Sequence, residues 1–458
     1  MKNVLNSNYS VSHDQGEGNR RAEAFFDAGT FVEVGAHIRR AHAPEEFEGV
    51  VTGYGAVDGR LVFAFFQDNS RMKGAIDALY ARKIEQIYSL AVKNGAPIVS
   101  VLDSAGAVIY DGASSMAAYG AWMKASAKAS GVIPQIAVID GVCAGSAALA
   151  ASMADFVISV KDRAEIYLTP SYDENKVTPD TAGTVAVTAE NEEAAFASVR
   201  TLLSLLPQNN AEGTVVAEPV DDANRVGAWI SGDADASLAA IADGGVFYEL
   251  YADYGKGVKA GFLSLSGIVV AVLAGNASVD GGAIGSEEAR KSAKLASFAD
   301  AFGIPLVNLV DSTGIKSAGA TPTAEDLARL ASVYATLECP VVTAIVGNAY
   351  GAGFTLTGSK VLGADIVFAL PDASIGLMSP ESSVAFVWND RVSAETTRES
   401  LEQEWKEAYA SPAEAACRGE VDDVIEKDEL RARLSAAVSM LVSKADGAPL
   451  RRHPVMPL

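Results

Sequence analysis

Cys339 to Met378 reads CPVVTAIVGNAYGAGFTLTGSKVLGADIVFALPDASIGLM. Its apolar opening, residues 341 to 346, predicts a buried strand. Residues 347 to 353, GNAYGAG, predict a turn of small residues, followed by a helix over 354–362 and a second strand from Ala364. Small residues ahead of a helix let a ligand approach free backbone N–H groups, and the helix dipole favours negative charge there. Tight strand–helix packing alone would produce the same pattern. A second copy of the stretch argues for more than packing.

That copy is Ile133 to Leu168, IPQIAVIDGVCAGSAALAASMADFVISVKDRAEIYL. Pro134, Gly141, Gly145 and Ser146 fall against Pro340, Gly347, Gly351 and Ala352, an offset of 340 − 134 = 206. Upstream, GAIDALYARK (74–83) answers GAIGSEEARK (282–291), an offset of 282 − 74 = 208. GAPIVSVLDSAG (95–106) answers GIPLVNLVDSTG (303–314) at that same offset, and DAGTFVE (27–33) echoes DGGVFYE (243–249). Matches in one order mean an internal duplication. Strand, turn and helix recur along both copies, the βα pattern of a mostly parallel sheet.

The expected organisation is an arm over 1–19, a first domain over 20–230 and a second over 231–458. Two domains suit 458 residues. The formal net charge of −22 disfavours nucleic acid and anionic membrane as partners. Cys143, Cys339 and Cys417 are too scattered for a disulfide framework or a zinc site, so no metal is expected. No apolar run reaches membrane length and no signal-peptide core opens the chain, so a cytoplasmic protein without membrane insertion is expected. A short helix is expected at 20–27, helices at 74–94 and 115–130, and a helical tail at 394–410 and 430–444.

In each half two small-residue turns follow apolar strands: 104–107 with 144–147, and 312–315 with 351–353. Where such turns converge, two backbone N–H groups can hold one oxygen as it becomes negative. His13, His37, His42 and His453 lie outside the turns, which disfavours a histidine-based triad. A hydratase would need a glutamate just after its turn, where this chain has Ala147-Ala-Leu149 and Phe354-Thr-Leu356. The nearest acids, Asp103 and Asp311, are suited to capping the following turns. Neither a Walker A nor a dinucleotide fingerprint is present.

Two tandem halves, with Asp103-SAGAVIYDG-Gly112, Gly131-VIPQIAVIDGVCAG-Gly145, Thr201-LLSLLPQNN-Asn210 and Ala349-YGAGF-Phe354, resemble the carboxyltransferase subunits of biotin-dependent acyl-CoA carboxylases and decarboxylases. The closing Met456-Pro-Leu458 is similar to that family's usual end. The resemblance implies an α/β fold of two crotonase-like (ClpP/crotonase) ββα-superhelix domains. It implies a coenzyme A thioester in the first half, with Gly106, Ala107, Gly145 and Ser146 on its oxygen. It implies biotin, carried by a separate carrier protein, in the second half, with Gly314, Ile315, Ala352 and Gly353 on the ureido oxygen. Ala105, Val108, Ala144, Tyr350, Gly351 and Thr355 would line the substrates, Thr355 standing where family members tune acyl-chain size.

The chain departs from the family pattern at Val108, where an arginine is usual, at Thr313-Gly-Ile315, usually Pro-Gly-Phe, and at Ser146, usually glycine. The resemblance further implies a biotin carboxyl carrier protein and a biotin carboxylase or membrane decarboxylase subunits as partners, and a homo-oligomer, a dimer or trimer of dimers. No biotin-attachment sequence or ATP-grasp domain occurs in this chain. Two alternatives stay open on sequence: a crotonase-type acyl-CoA lyase or hydratase, and a non-catalytic structural paralogue within a carboxylase complex.

Overall fold

The computed structural model describes residues 16–40, 43, 46–169, 176–180, 182–222, 224–316 and 324–444. The expected N-terminal arm and the closing tripeptide therefore fall largely or wholly outside the described residues. By its internal contacts the chain divides into Met1–Gly213 and Thr214–Leu458. Residues 214 to 217 go with the second unit because the Val269 N–H donates to Val215 O and the Ala217 N–H to Gly267 O.

The first unit runs α1 (Glu17–Phe25), β1 (Val32–Glu33), β2 (Val50–Val57), β3 (Arg60–Gln67), α2 (Ala78–Asn94), β4 (Ile98–Ser104), α3 (Ala113–Ala129), β5 (Gln135–Ala144), α4 (Ser146–Ser152), β6 (Phe156–Val160), β7 (Glu165–Tyr167), β8 (Val185–Ala189) and α5 (Glu192–Leu205). The second runs α6 (Ala234–Ile241), β9 (Phe247–Leu250), β10 (Val258–Leu265), β11 (Ile268–Gly275), α7 (Ser286–Ala301), β12 (Leu306–Ser312), α8 (Ala324–Tyr334), β13 (Val341–Tyr350), α9 (Ala352–Leu356), β14 (Ile366–Ala369), β15 (Ser374–Gly376), α10 (Pro380–Val387), α11 (Arg398–Tyr409), α12 (Pro412–Cys417), β16 (Asp423–Val424) and α13 (Leu430–Leu441).

The two sheets have the same plan. Their orders are β1-β2-β3-β4-β5-β6-β8 with β7 on β5, and β9-β10-β11-β12-β13-β14-β16 with β15 on β13. The β2/β3 and β10/β11 hairpins are antiparallel, and the strands after them are parallel. Helices cover the parallel part. Asp77 caps α2 by accepting from the Leu79 and Tyr80 N–H groups, and the buried Ile84, Ile87 and Ala91 recur at helical spacing on its inner face. They join Phe65, Trp122 and Ile139 in one core; Val270, Leu309, Leu434 and Val438 belong to the other. The repeated lysine of the two ARK motifs is structural: Lys83 reaches Val50 O, and Lys291 donates to the Tyr251 and Tyr254 carbonyls.

The turn expected from Gly347 begins later than the sequence suggests. Asn348 to Tyr350 remain strand because they find a second parallel partner in β15, Asn348 against Ser374 and Tyr350 against Gly376. Val142 to Ala144 pair with β7 in the same way. Each strand therefore leaves one neighbour and joins another, through an irregularity where Leu102 opposes Ile139 but Ser104 opposes Cys143, and Val310 opposes Ile345 but Ser312 opposes Ala349. The helix expected over 354–362 is α9 plus a separate 3₁₀ turn, Lys360–Leu362. The tail helices expected at 394–410 and 430–444 appear as α11 and α13. Among the described residues no helix is long and apolar enough to cross a membrane.

The irregularity is held by a buried acid. Asp311 Oδ1 accepts the Asn348 N–H at 2.9 Å, and the carboxyl lies where a side chain on Gly347 would stand, 2.3 Å from an ideal Cβ. Asp103 fills the same place beside Gly141. Gly347→Ala should cost about 1–3 kcal/mol through overpacking. In a double-mutant cycle with Asp311→Ala, which opens that space, the two losses should fall short of additivity by roughly 0.5–3 kcal/mol; chemical denaturation measures it, and strict additivity refutes the clash.

Burial pushes the Asp311 carboxyl above its ordinary pKa, against the downward pull of the Asn348 N–H. The folded state thus holds the proton longer than the unfolded one. This residue's contribution is fullest below the ordinary carboxylate range and is lost as pH rises through the raised value. Thermal melts of wild type and Asp311→Asn should then diverge most at acid pH, with the variant gaining relative to wild type as pH rises to neutrality.

Candidate active site

Each half ends two adjacent strands in turns. In the first half β4 gives way to Ala105–Ala107 and β5 to Gly145 and the start of α4; in the second, β12 leads to Thr313–Ile315 and β13 to Gly351 and α9. A serine closes each first turn. Ser104 Oγ accepts the Gly106 N–H at 3.1 Å and donates to Gly74 O at 2.7 Å. Ser312 Oγ accepts the Gly314 N–H at 3.2 Å. The next residue is left with its N–H turned outward. The Ile76 N–H donates to Gly106 O and the Val108 N–H to Ile76 O, a bridge that bypasses the Ala107 N–H. Ile284 holds Gly314 and Lys316 identically, bypassing Ile315.

The second turns also match. Gly145 (φ 61°, ψ −123°) and Gly351 (φ 52°, ψ −126°) adopt the same backbone, one open to glycine and strained for any side chain. Their own N–H groups are taken, by Tyr167 O at 2.7 Å and Gly376 O at 2.9 Å. Helical bonding begins only with Leu149 to Gly145 O and Thr355 to Gly351 O. The amides of Ser146 and Ala352 are thus the first free ones at their helix starts. Of the eight residues singled out as donors, Ala107, Ser146, Ile315, Ala352 and Gly353 have amides without an acceptor, while Gly106, Gly145 and Gly314 shape the turns.

In the second half the turns touch. A Cβ on Gly353 would lie 3.0 Å from Gly314 Cα, so only glycine permits this approach. Gly314, Ile315, Tyr350, Gly351 and Ala352 line one pocket of about 580 Å³. Asn348, Leu377, Ser379 and Glu381 line it too and were not singled out by sequence, because Leu377 to Glu381 come from β15's exit and the start of α10. Thr355 is exposed and is not part of this lining. In the first half Ala105 gives its N–H to Lys73 O, Ala144 ends β5, and Val108 is buried with its carbonyl accepting from Ser115 Oγ. Exposed apolar side chains flank the turns: Ile109 (88%), Tyr110 (92%) and Leu149 in the first half, Leu377 (83%) and Phe386 in the second.

No side chain in either turn pair is built for proton abstraction. Asp103 accepts from Asn69 Nδ2 at 2.7 Å and from Arg21 Nη2 at 3.3 Å. Asp311 is bound to the Asn348 backbone. Asp311 ties down the next strand and Asp103 ties Asn69 and α1, in place of the turns they were expected to cap. Burial pushes the Cys143 thiol up to about 12, which removes it as a nucleophile. His37 is on an exposed turn, and the other histidines lie outside the described residues. What the turns offer is free backbone amides, a type of group that can hold an oxygen as it gains charge.

Comparison with known proteins finds relatives over nearly the whole chain. The carboxyl transferase domain matches residues 18–456. The propionyl-CoA carboxylase carboxyltransferase subunit of Haloferax mediterranei is 34% identical, over 97% of this chain and 94% of its own. The methylmalonyl-CoA decarboxylase subunit alpha of Veillonella parvula is 32% identical over the same shares. Among solved structures, transcarboxylase 12S, described as a hexamer with hydrolysed methylmalonyl-coenzyme A bound, superposes with a TM-score of 0.90 at 29% identity, covering 100% of this chain and 97% of that one. Duplicated halves, paired backbone turns and full-length similarity lead to one conclusion: the chain belongs to the carboxyl transferase family.

Proposed function

We propose that the chain is the carboxyltransferase subunit of a biotin-dependent acyl-CoA carboxylase or decarboxylase. The observation that carries the proposal is the repetition, in both halves, of two adjacent turns that leave amides free: Ala107 with Ser146, and Ile315 with Ala352 and Gly353. The first pair would hold the thioester oxygen of an acyl-CoA, whose negative charge grows as the α carbon becomes an enolate. The second pair would hold the ureido oxygen of biotin, and the pocket of about 580 Å³ beside it has room for a compact bicyclic ring. Biotin, borne by a separate carrier protein, supplies the activated carboxyl group. The chain's own part is to bind, orient and stabilise charge through backbone dipoles.

The relatives named above act on propionyl-CoA and methylmalonyl-CoA, which points to a short acyl chain. The exposed apolar side chains around each turn pair support a homo-oligomer in which a neighbouring subunit covers them. A biotin carboxyl carrier protein, with a biotin carboxylase or membrane decarboxylase subunits, completes the proposed complex.

Proline tests the donors one at a time. It is tolerated at the first position of a helix and removes only that residue's N–H. Ser146→Pro and Ala352→Pro should each fold yet lose roughly 100–1,000-fold in turnover, measured as decarboxylation of malonyl- or methylmalonyl-CoA with free biotin. If the first half of one subunit faces the second half of another across a two-fold axis, each mixed dimer carries one intact site. Free exchange makes about half the dimers mixed, so co-expression should restore roughly a quarter of wild-type activity. Mixed dimers without recovery would place both turn pairs of one chain in a single site. Asp311→Asn should keep turnover within about tenfold, since no side-chain base is involved; a loss of several orders of magnitude in a folded variant favours a lyase or hydratase.

A further inference from the structure

The duplicated halves share their backbone donors, so those donors cannot tell one ligand from the other. The side chains around them differ, and two of the differences put polar groups into the second-half pocket. Strand register makes Val142 the counterpart of Asn348, opposite Glu165 and Ser374, and Ala144 the counterpart of Tyr350, opposite Tyr167 and Gly376. Two residues apart on a strand, Asn348 and Tyr350 point to the same face, and both line the second-half pocket. The first half has only a valine and an alanine at these positions.

Tyr350 Oη donates to Asn348 Oδ1 at 3.0 Å. The amide is thereby turned so that its acceptor is occupied and its two N–H donors are left over. The backbone of the same residue is locked, because Asp311 Oδ1 accepts the Asn348 N–H. Among the lining residues the single charged group is Glu381, an acid, and there is no lysine or arginine. A ligand oxygen entering the pocket is therefore met by the Ile315 and Ala352 amides, by hydroxyls, and by Asn348 Nδ2.

We propose that Asn348 is the side chain by which the second half selects its ligand: its Nδ2 donates to a carbonyl or carboxylate oxygen of a cyclic urea bound there, and Tyr350 is the positioning residue that fixes the amide. This rests on the reading of the second half as the biotin side. The first half, with Val142 and Ala144, leaves that place apolar and suited to an acyl chain.

The test is equilibrium binding of biotin to the full-length protein, read by ligand-observed NMR, with coenzyme A titrated in parallel. Asn348→Val should weaken biotin about tenfold and leave coenzyme A within about twofold of wild type, the comparison resting on the same principle. Asn348→Asp, which keeps the shape but replaces donors with a negative acceptor, should weaken biotin at least as much. Tyr350→Phe should have a smaller effect, and none in the Asn348→Val background, because it acts through the amide. Wild-type binding of biotin with no change in folded Asn348→Val overturns the role of Asn348 alone. Equal weakening of biotin and coenzyme A marks a structural defect and also overturns it. A wild type that binds coenzyme A but no biotin overturns the assignment of the pocket itself, and this inference with it.

Discussion

A buried carboxylate lying against the Cα of a glycine on the next strand is the contact both halves are built around. Asp103 sits on Gly141 and Asp311 on Gly347, each within 2.3 Å of where a Cβ would stand. With no side chain there, the strand can kink, drop its first partner and pair with β7 or β15. That second pairing provides the Tyr167 and Gly376 carbonyls that fix Gly145 and Gly351. The free amides of Ser146 and Ala352 follow from those bonds. The acid is architectural, and the backbone it has positioned is what the proposed function draws on.

The architecture was legible because a duplication repeats its own spacing. Four matched segments announced two equal sheets, and the strand orders are equivalent position by position. The Gly-rich stretches located the turns to within a few residues. Their start was missed because residues 348–350 owe their strand conformation to β15, a partner that appears only after α9 and β14 have intervened. The donor set was half legible for a related reason. Whether the amide of Gly106 or Gly145 is free depends on Ser104 Oγ and Tyr167 O, and the second of these lies on another strand. The Asp-Ser pair common to 103–104 and 311–312 was the available signal for the serine latch.

A site made of backbone amides resists sequence drift in a way that a side-chain site does not. Every residue except proline supplies an N–H, so substitution leaves the donors in place provided the turn keeps its shape. The departures at Val108 and Ile315 illustrate this. Val108 lacks the arginine usual in the family, yet its N–H still completes the bridge to Ile76 that turns the Ala107 amide outward. Ile315 stands where phenylalanine is usual, and its amide is presented by the same bridge to Ile284. Such changes alter the surrounding side chains and leave the free amides in place.

The same argument explains how one ancestral unit could come to serve the two ligands proposed above. Duplication copies the donors, the latch serine and the strand-kinking acid together, because all are needed for the turns to form. Selection is then free to act on positions that contribute only side chains, such as 142 and 348, or 144 and 350. Gly353 marks the limit of that freedom. Its counterpart in the first half, Ala147, is buried and carries a methyl group, whereas a Cβ on Gly353 would collide with Ser312 Oγ and Gly314. The two turn pairs are alike in plan, and at this one position the second half requires the absence of a side chain that the first half carries.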